Sequence, residues 1–135
     1  MHISTKTEYA LRALTELALA NDDQPISITE ICHRQKLPRK YVEQLFGKLK
    51  KSGLVKSLHG SQGGYSLNLP AGSISLQNIM EAVDESYLKK FCTDDHQKTH
   101  CLGLPCGFHQ LWDEIKNDLD SYFDSIKLDR IIAKL

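Results

Sequence analysis

Cys92, Cys101, Cys106 and His109 place four soft metal ligands within 18 residues, spaced C-x(8)-C-x(4)-C-x(2)-H. Thiolates suit zinc, copper(I) and iron–sulfur clusters. Structural zinc sites usually gather their ligands in tight pairs about two to four residues apart. The first gap here is too wide for such a knuckle. The loop can wrap around a body larger than one ion, which favours a cluster. The competing chemistry is a thiol enzyme using Cys101 or Cys106 with His109. The chain has no Cys-x-x-Cys redox pair, no Gly-rich phosphate loop and no evident third group to orient a Cys–His couple, so it is not expected to be an enzyme. The fourth cysteine, Cys32, falls near the apolar side of a short helix and reads as a buried core thiol.

A second group of residues could bind a polyanion. The chain carries 17 Lys+Arg and 17 Asp+Glu, a formal net charge of zero. Residues 1–70 hold 10 Lys/Arg against 6 Asp/Glu, and residues 71–135 hold 7 against 11. Between Arg34 and Lys56 stand eight cations (Arg34, Lys36, Arg39, Lys40, Lys48, Lys50, Lys51 and Lys56) and a single acid, Glu43. A local basic patch on a neutral chain suggests a nucleic-acid footprint; the plainer reading is a solvated helix face. Arg39, Lys40, Lys48, Lys50, Lys51 and Lys56 are candidates for phosphates. Tyr41, Glu43 and Gln44 are placed for base edges or the groove wall.

The elements that must position these groups can be read from periodicity. A helix is expected from about Thr7 to Ala20, with Ala10, Leu14, Leu17 and Ala18 on one face. Ser27 and Glu30 make a capping box flanked by Ile26 and Ile31, opening a short helix over 28–35. Pro38 suits the first turn of a third helix over 39–52 that stops at Gly53. Val42, Leu45, Phe46 and Leu49 mark its core face, with the cations opposite. Strands over 54–58 and 65–69 flank a glycine-rich tip containing His59, Ser61 and Gln62. This order spells a winged helix-turn-helix, with the third helix in the DNA major groove and the hairpin on the backbone or minor groove. Ser75 should cap a fourth helix over 76–83. A Cys/His-rich loop follows over about 91–106, then a long helix over 107–125. Its Phe108, Trp112, Ile115, Leu119, Tyr122 and Ile126 form an a/d seam. A chain of 135 residues has little core to cover that seam, so Trp112, Ile115, Leu119 and Tyr122 are expected to anchor a homodimer. The alternative is packing against the chain's own first helix.

Tyr41-Val42-Glu43-Gln44-Leu45-Phe46, Gly63-Gly64-Tyr65, Ala82-Val83-Asp84-Glu85-Ser86 and His109-Gln110-Leu111-Trp112 carry a resemblance. Over nearly its full length the chain resembles the Rrf-two-type family of bacterial winged-helix transcription regulators, and most of all its iron–sulfur cluster-sensing branch. The resemblance implies a homodimer that binds double-stranded operator DNA and holds one iron–sulfur cluster per subunit, of the 2Fe–2S type. The implied ligands are Cys92, Cys101, Cys106 and His109. Glu8 and His33 match ligand positions of two sister branches, a nitric-oxide sensor and a redox sensor. Glu8 of the partner subunit as fourth ligand, with 4Fe–4S as the alternative cluster type, is the competitor to His109. The first cysteine gap is longer than in the cluster-sensing branch and the second shorter. That branch also carries an arginine where this chain has His59.

The expected fold is therefore mainly α with a small β-hairpin wing. Residues 1–70 form a winged helix-turn-helix; residues 71–135 hold the cluster loop and a long C-terminal dimerisation helix. A hydrophobic content of 41% excludes a disordered chain. No apolar run approaches the roughly 18 residues of a membrane span, and no secretory signal opens the sequence. A cytoplasmic regulator is expected, working through an iron–sulfur cluster. A regulator of the same fold acting through zinc, a small ligand or a protein partner is the alternative.

Overall fold

α1 (Thr5–Leu19) buries Ala10, Ala13, Leu14 and Leu17, close to the face that periodicity marks. The structure is a computed structural model that describes residues 2–20, 24–61, 63–88 and 106–135. α2 (Ile28–Gln35) starts where Ser27 accepts a hydrogen bond from the Glu30 amide at 3.2 Å. The Glu30 carboxylate turns to Arg34 one turn on, while Ile26 and Ile31 are buried as a hydrophobic staple requires. Lys36 ends α2 in the left-handed region, at φ 54°. Pro38 is the N-cap of α3 (Arg39–Lys51), one residue before the expected first turn. Val42, Leu45, Phe46 and Leu49 bury the core face of α3. Gly53 follows at φ 78°, a backbone conformation that favours glycine just past a helix end.

The wing is an antiparallel pair, β1 (Val55–Leu58) and β2 (Gly64–Leu67), with Val55 opposite Leu67 and Leu58 opposite Gly64. Its second strand begins one residue earlier and ends two residues earlier than the alternation suggests. A third partner joins the second strand near its start. Ile26 and Tyr65 exchange backbone hydrogen bonds of 3.0 and 2.8 Å, which ties the start of α2 to the wing. Gly64 permits this approach: a Cβ there would stand 2.5 Å from the Ile26 carbonyl. The wing also leans on α3 through the Phe46 and Tyr65 rings, whose centroids are 4.7 Å apart.

Beyond the wing, a short 3-10 turn (Ala71–Ser73) leads to α4 (Leu76–Ala82), opened by a reciprocal capping box between Ser75 and Asn78. α5 (Gly107–Ser125) has the expected bounds. A further helix, α6 (Leu128–Ile132), was not evident in the sequence. It is fixed by strand-like pairing, with Leu76 N–H donating to the Ile126 carbonyl and Leu128 N–H to that of Ile74, both at 2.8 Å. Leu128 is fully buried, and one hydrophobic core runs from Ala10 on α1 to Leu128 on α6. Mainly helical, with one two-stranded wing and a long C-terminal helix, this is the winged helix-turn-helix read from the sequence. Among the described residues, no helix is long and apolar enough to cross a membrane.

Candidate DNA-binding face and metal centre

With the core face of α3 buried, its opposite face is presented outward. Arg39, Lys40, Glu43, Gln44, Lys50 and Lys51 are all exposed. Lys56 on β1 and His59 and Ser61 at the wing tip are exposed as well, whereas Gln62 lies outside the described residues. The wing is held to α3 by a hydrogen bond from Lys50 Nζ to Ser57 Oγ at 2.8 Å. Tyr41 is half-buried, edge-on to Tyr9 of α1 with centroids 5.7 Å apart, so it braces α3 against α1. Glu43 is not isolated: Arg39 Nε donates to its Oε1 at 2.9 Å, one turn away on the same face. Both side chains are largely exposed, so solvent screens the pair and either partner can be recruited elsewhere.

Lys48 differs from the other α3 cations. It is half-buried, and its Nζ lies 2.7 Å from Asp84 Oδ2, just beyond α4. Lys6 Nζ donates to the Asp84 main-chain carbonyl at 2.7 Å. The hydrogen bond and charge of Lys48 hold the Asp84 carboxyl below the usual carboxylate range, and Lys6 and Lys51 add to the field. Arg34 is also engaged, with Glu16 on α1 at 3.3 Å and with Glu30; the first of these helps to tie α2 to α1.

The residue after Asp84 performs a separate task. Glu85 Oε2 accepts from the Ser4 amide at 2.9 Å, from Ser4 Oγ at 2.5 Å and from Thr7 Oγ1 at 2.7 Å. It thereby satisfies, from 81 residues away, the amide of the N-cap residue Ser4, the part that a carboxylate in the first turn plays in a capping box. Burial opposes ionisation of Glu85, but the bonds from Ser4 and Thr7 and the charge of Lys6 outweigh it and keep its pKa low. The residues Asp84 and Glu85 thus connect the end of α4 to both α3 and α1, a role that sequence reasoning missed. No local pattern signals it, because every partner is at least 36 positions away.

Of the cysteine-loop residues, Cys92 and Cys101 lie outside the described residues. Cys106 is the N-cap of α5, and His109 stands three residues on in its first turn. That spacing puts both on one helix face. His109 Nε2 lies 3.1 Å from Asp113 Oδ2. A carboxylate on one ring nitrogen is the usual outer support for a histidine that binds metal through the other. The donor types therefore fit a thiolate- and imidazole-bound group with ligands from Cys92, Cys101, Cys106 and His109. Glu8 is exposed in the first turn of α1, and His33 is exposed near the end of α2. Cys32 is buried in the core, and burial pushes its thiol pKa up, as an inert core thiol should show. Among the described residues no group of three or more His, Cys, Asp or Glu comes together as a metal site.

α5 meets the rest of the chain mainly along α4. Tyr87 packs edge-on to Phe123 with centroids 5.1 Å apart, and its hydroxyl donates to Asp120, which also pairs with Lys116. No residue of α5 is fully buried. Phe108, Leu111, Trp112 and Tyr122 are exposed, Phe108 by 64% and Tyr122 by 62%, while Ile115 and Leu119 are half-buried.

The profile of the Rrf2 family, described as an iron-dependent transcriptional regulator, matches residues 3–134. The HTH-type transcriptional regulator IscR of Aliivibrio salmonicida (strain LFI1238) is 36% identical over 134 residues, 98% of this chain and 78% of that protein. Among solved structures, T. potens IscR is 30% identical with a TM-score of 0.76, covering 99% of this chain and 88% of its own. CymR (YrzC), described as the global cysteine regulator of B. subtilis, is 27% identical with a TM-score of 0.79, covering 100% and 98%.

Proposed function

Since the chain belongs to the Rrf2 family of transcription regulators, and is not an enzyme, we propose that it binds operator DNA as a homodimer whose affinity is set by an iron–sulfur cluster. One observation carries the DNA reading. The core face of α3 is sealed, and the face left outside is lined by Arg39, Lys40, Lys50 and Lys51 beside Lys56 on the wing. Such a face neutralises phosphates, while Gln44 and Glu43 stand where base edges are read. Two copies joined along α5 would set two α3 helices at a fixed spacing for two half-sites. The exposed apolar residues Phe108, Trp112 and Tyr122 support that arrangement.

The cluster would be held by Cys92, Cys101, Cys106 and His109, with Glu8 as the alternative fourth ligand. When bound, it would supply an iron centre sensitive to oxidants, nitric oxide and iron supply. Cys106 and His109 would hold it against the start of α5. Asp113 would orient the His109 ring. Three thiolates and one imidazole suit the 2Fe–2S type. The relatives named IscR and the family description support this reading.

The second reading is a regulator of the same fold without a cluster, acting through zinc, a small ligand or a protein partner. The full-length likeness to CymR favours it. The visible spectrum of anaerobically purified protein separates the two. Iron–sulfur absorption with stoichiometric iron and sulfide is the expected result. A colourless protein carrying stoichiometric zinc, or no metal, would overturn the cluster reading and leave the DNA reading standing.

A further inference from the structure

Asp84 is the acid that α3 meets from outside its own helix. Its carboxylate accepts from Lys48 Nζ at 2.7 Å, its main-chain carbonyl accepts from Lys6 Nζ at 2.7 Å, and Lys51 adds its charge nearby. A carboxylate that accepts from an α3 lysine offers it what a DNA phosphate would offer. Asp84 is also held in place. It sits in the left-handed region at φ 54°, which Asp and Asn tolerate better than most residues. Its neighbour Glu85 is tied to Ser4 and Thr7. The backbone at Asp84 is thus anchored, and its largely exposed carboxylate is set beside Lys48.

We propose that Asp84 is an internal phosphate mimic: in the free protein it occupies Lys48, and DNA must displace it before Lys48 can contact the backbone. This inference rests on the reading of α3 as the DNA-binding face, and it goes beyond that reading by assigning Asp84 a part in setting the affinity for all DNA. A carboxylate that competes with phosphate weakens binding to every sequence alike. A site with good base contacts can bear that cost; a random site cannot. Asp84 thus empties random sites while a saturated operator stays filled, and it leaves the ratio of the two affinities unchanged. The half-buried Lys48 is accordingly a poor phosphate ligand while Asp84 is intact, in contrast to the exposed Lys51.

The test is a salt titration of binding to a random-sequence duplex by fluorescence anisotropy, with the full-length protein and the variants Asp84→Asn, Lys48→Met, the double variant and Lys51→Ala. Asn keeps the shape and the left-handed backbone while removing the charge. Asp84→Asn should bind about two- to fivefold tighter, the range expected for releasing one exposed ion pair. Its log–log salt slope should steepen by about one, for one added phosphate contact. Lys48→Met alone should change little, and the double variant should lose the gain. If Asp84→Asn binds as tightly as or more weakly than the parent while Lys51→Ala weakens binding, Asp84 is not a competitor and the inference fails alone. If Lys51→Ala has no effect either, α3 is not the DNA-binding face and both readings fail.

Discussion

Replacing Glu85 with alanine should destabilise the fold well beyond the effect of an ordinary surface substitution. Three donors converge on its carboxylate, and they differ in what they lose. The Ser4 amide and hydroxyl sit at the half-exposed start of α1, where water can replace the lost acceptor. Losing that acceptor should cost about 1 kcal/mol. Thr7 is only 1% exposed, so its hydroxyl is left inside without its acceptor, at a cost of about 1–3 kcal/mol. The two terms give a loss of about 2–4 kcal/mol, a large fraction of the roughly 5–15 kcal/mol that holds a domain together. Urea denaturation followed by circular dichroism, at one protein concentration, measures it. The pH dependence has a definite sign. The folded-state pKa of Glu85 is depressed, so its contribution is complete above the unfolded carboxyl value of about 4.3 and is lost as pH falls through the folded value. The gap between the parent and Glu85→Gln should therefore be widest near neutrality and narrow in acid. A Glu85→Ala protein within about 0.5 kcal/mol of the parent would refute the reasoning.

Glu43→Ala should release Arg39 from its 2.9 Å partner and broaden the range of sites recovered in a binding-site selection, whereas Lys51→Ala should weaken all sites and lower the salt slope by about one; unchanged selectivity in Glu43→Ala would remove that residue from base reading. Leu119→Asp would place a charge in the half-buried seam of α5, and sedimentation should then show monomer with reduced operator affinity; a persistent dimer would move the interface elsewhere. Cys106→Ala should abolish the visible absorption and Glu8→Ala should leave it intact. Bleaching by Glu8→Ala but not by His109→Ala would instead make Glu8 the fourth ligand.

Local signals made most of the fold legible. The Ser27 cap, the 3.6-residue spacing of Val42, Leu45, Phe46 and Leu49, and Gly53 at φ 78° located α2 and α3 to within a residue. What the sequence hid was non-local. α6 is five residues long, too short for a periodic signal, and it exists because Leu128 fills the core and pairs with Ile74. Gly64 falls in what reads as a glycine-rich tip, but it begins β2 and is needed for close contact with Ile26. Six cations of the basic patch read as phosphate ligands; the fold takes Lys48 from that set and gives it to Asp84, and it engages Arg34, outside the set, with Glu16 and Glu30. Cys106 and His109 do share one turn of α5, as their spacing requires, while Cys92 and Cys101 lie outside the described residues.

The central claim is that one chain couples an iron–sulfur cluster to DNA affinity. Its most direct test is fluorescence anisotropy on a duplex recovered from a random pool, using one anaerobic preparation before and after cluster removal, at a single salt concentration. The two forms should differ in affinity by about 5–150-fold, the usual range of coupling between two sites, and the difference should disappear in Cys106→Ala. Equal affinities for the loaded and the cluster-free protein would contradict it.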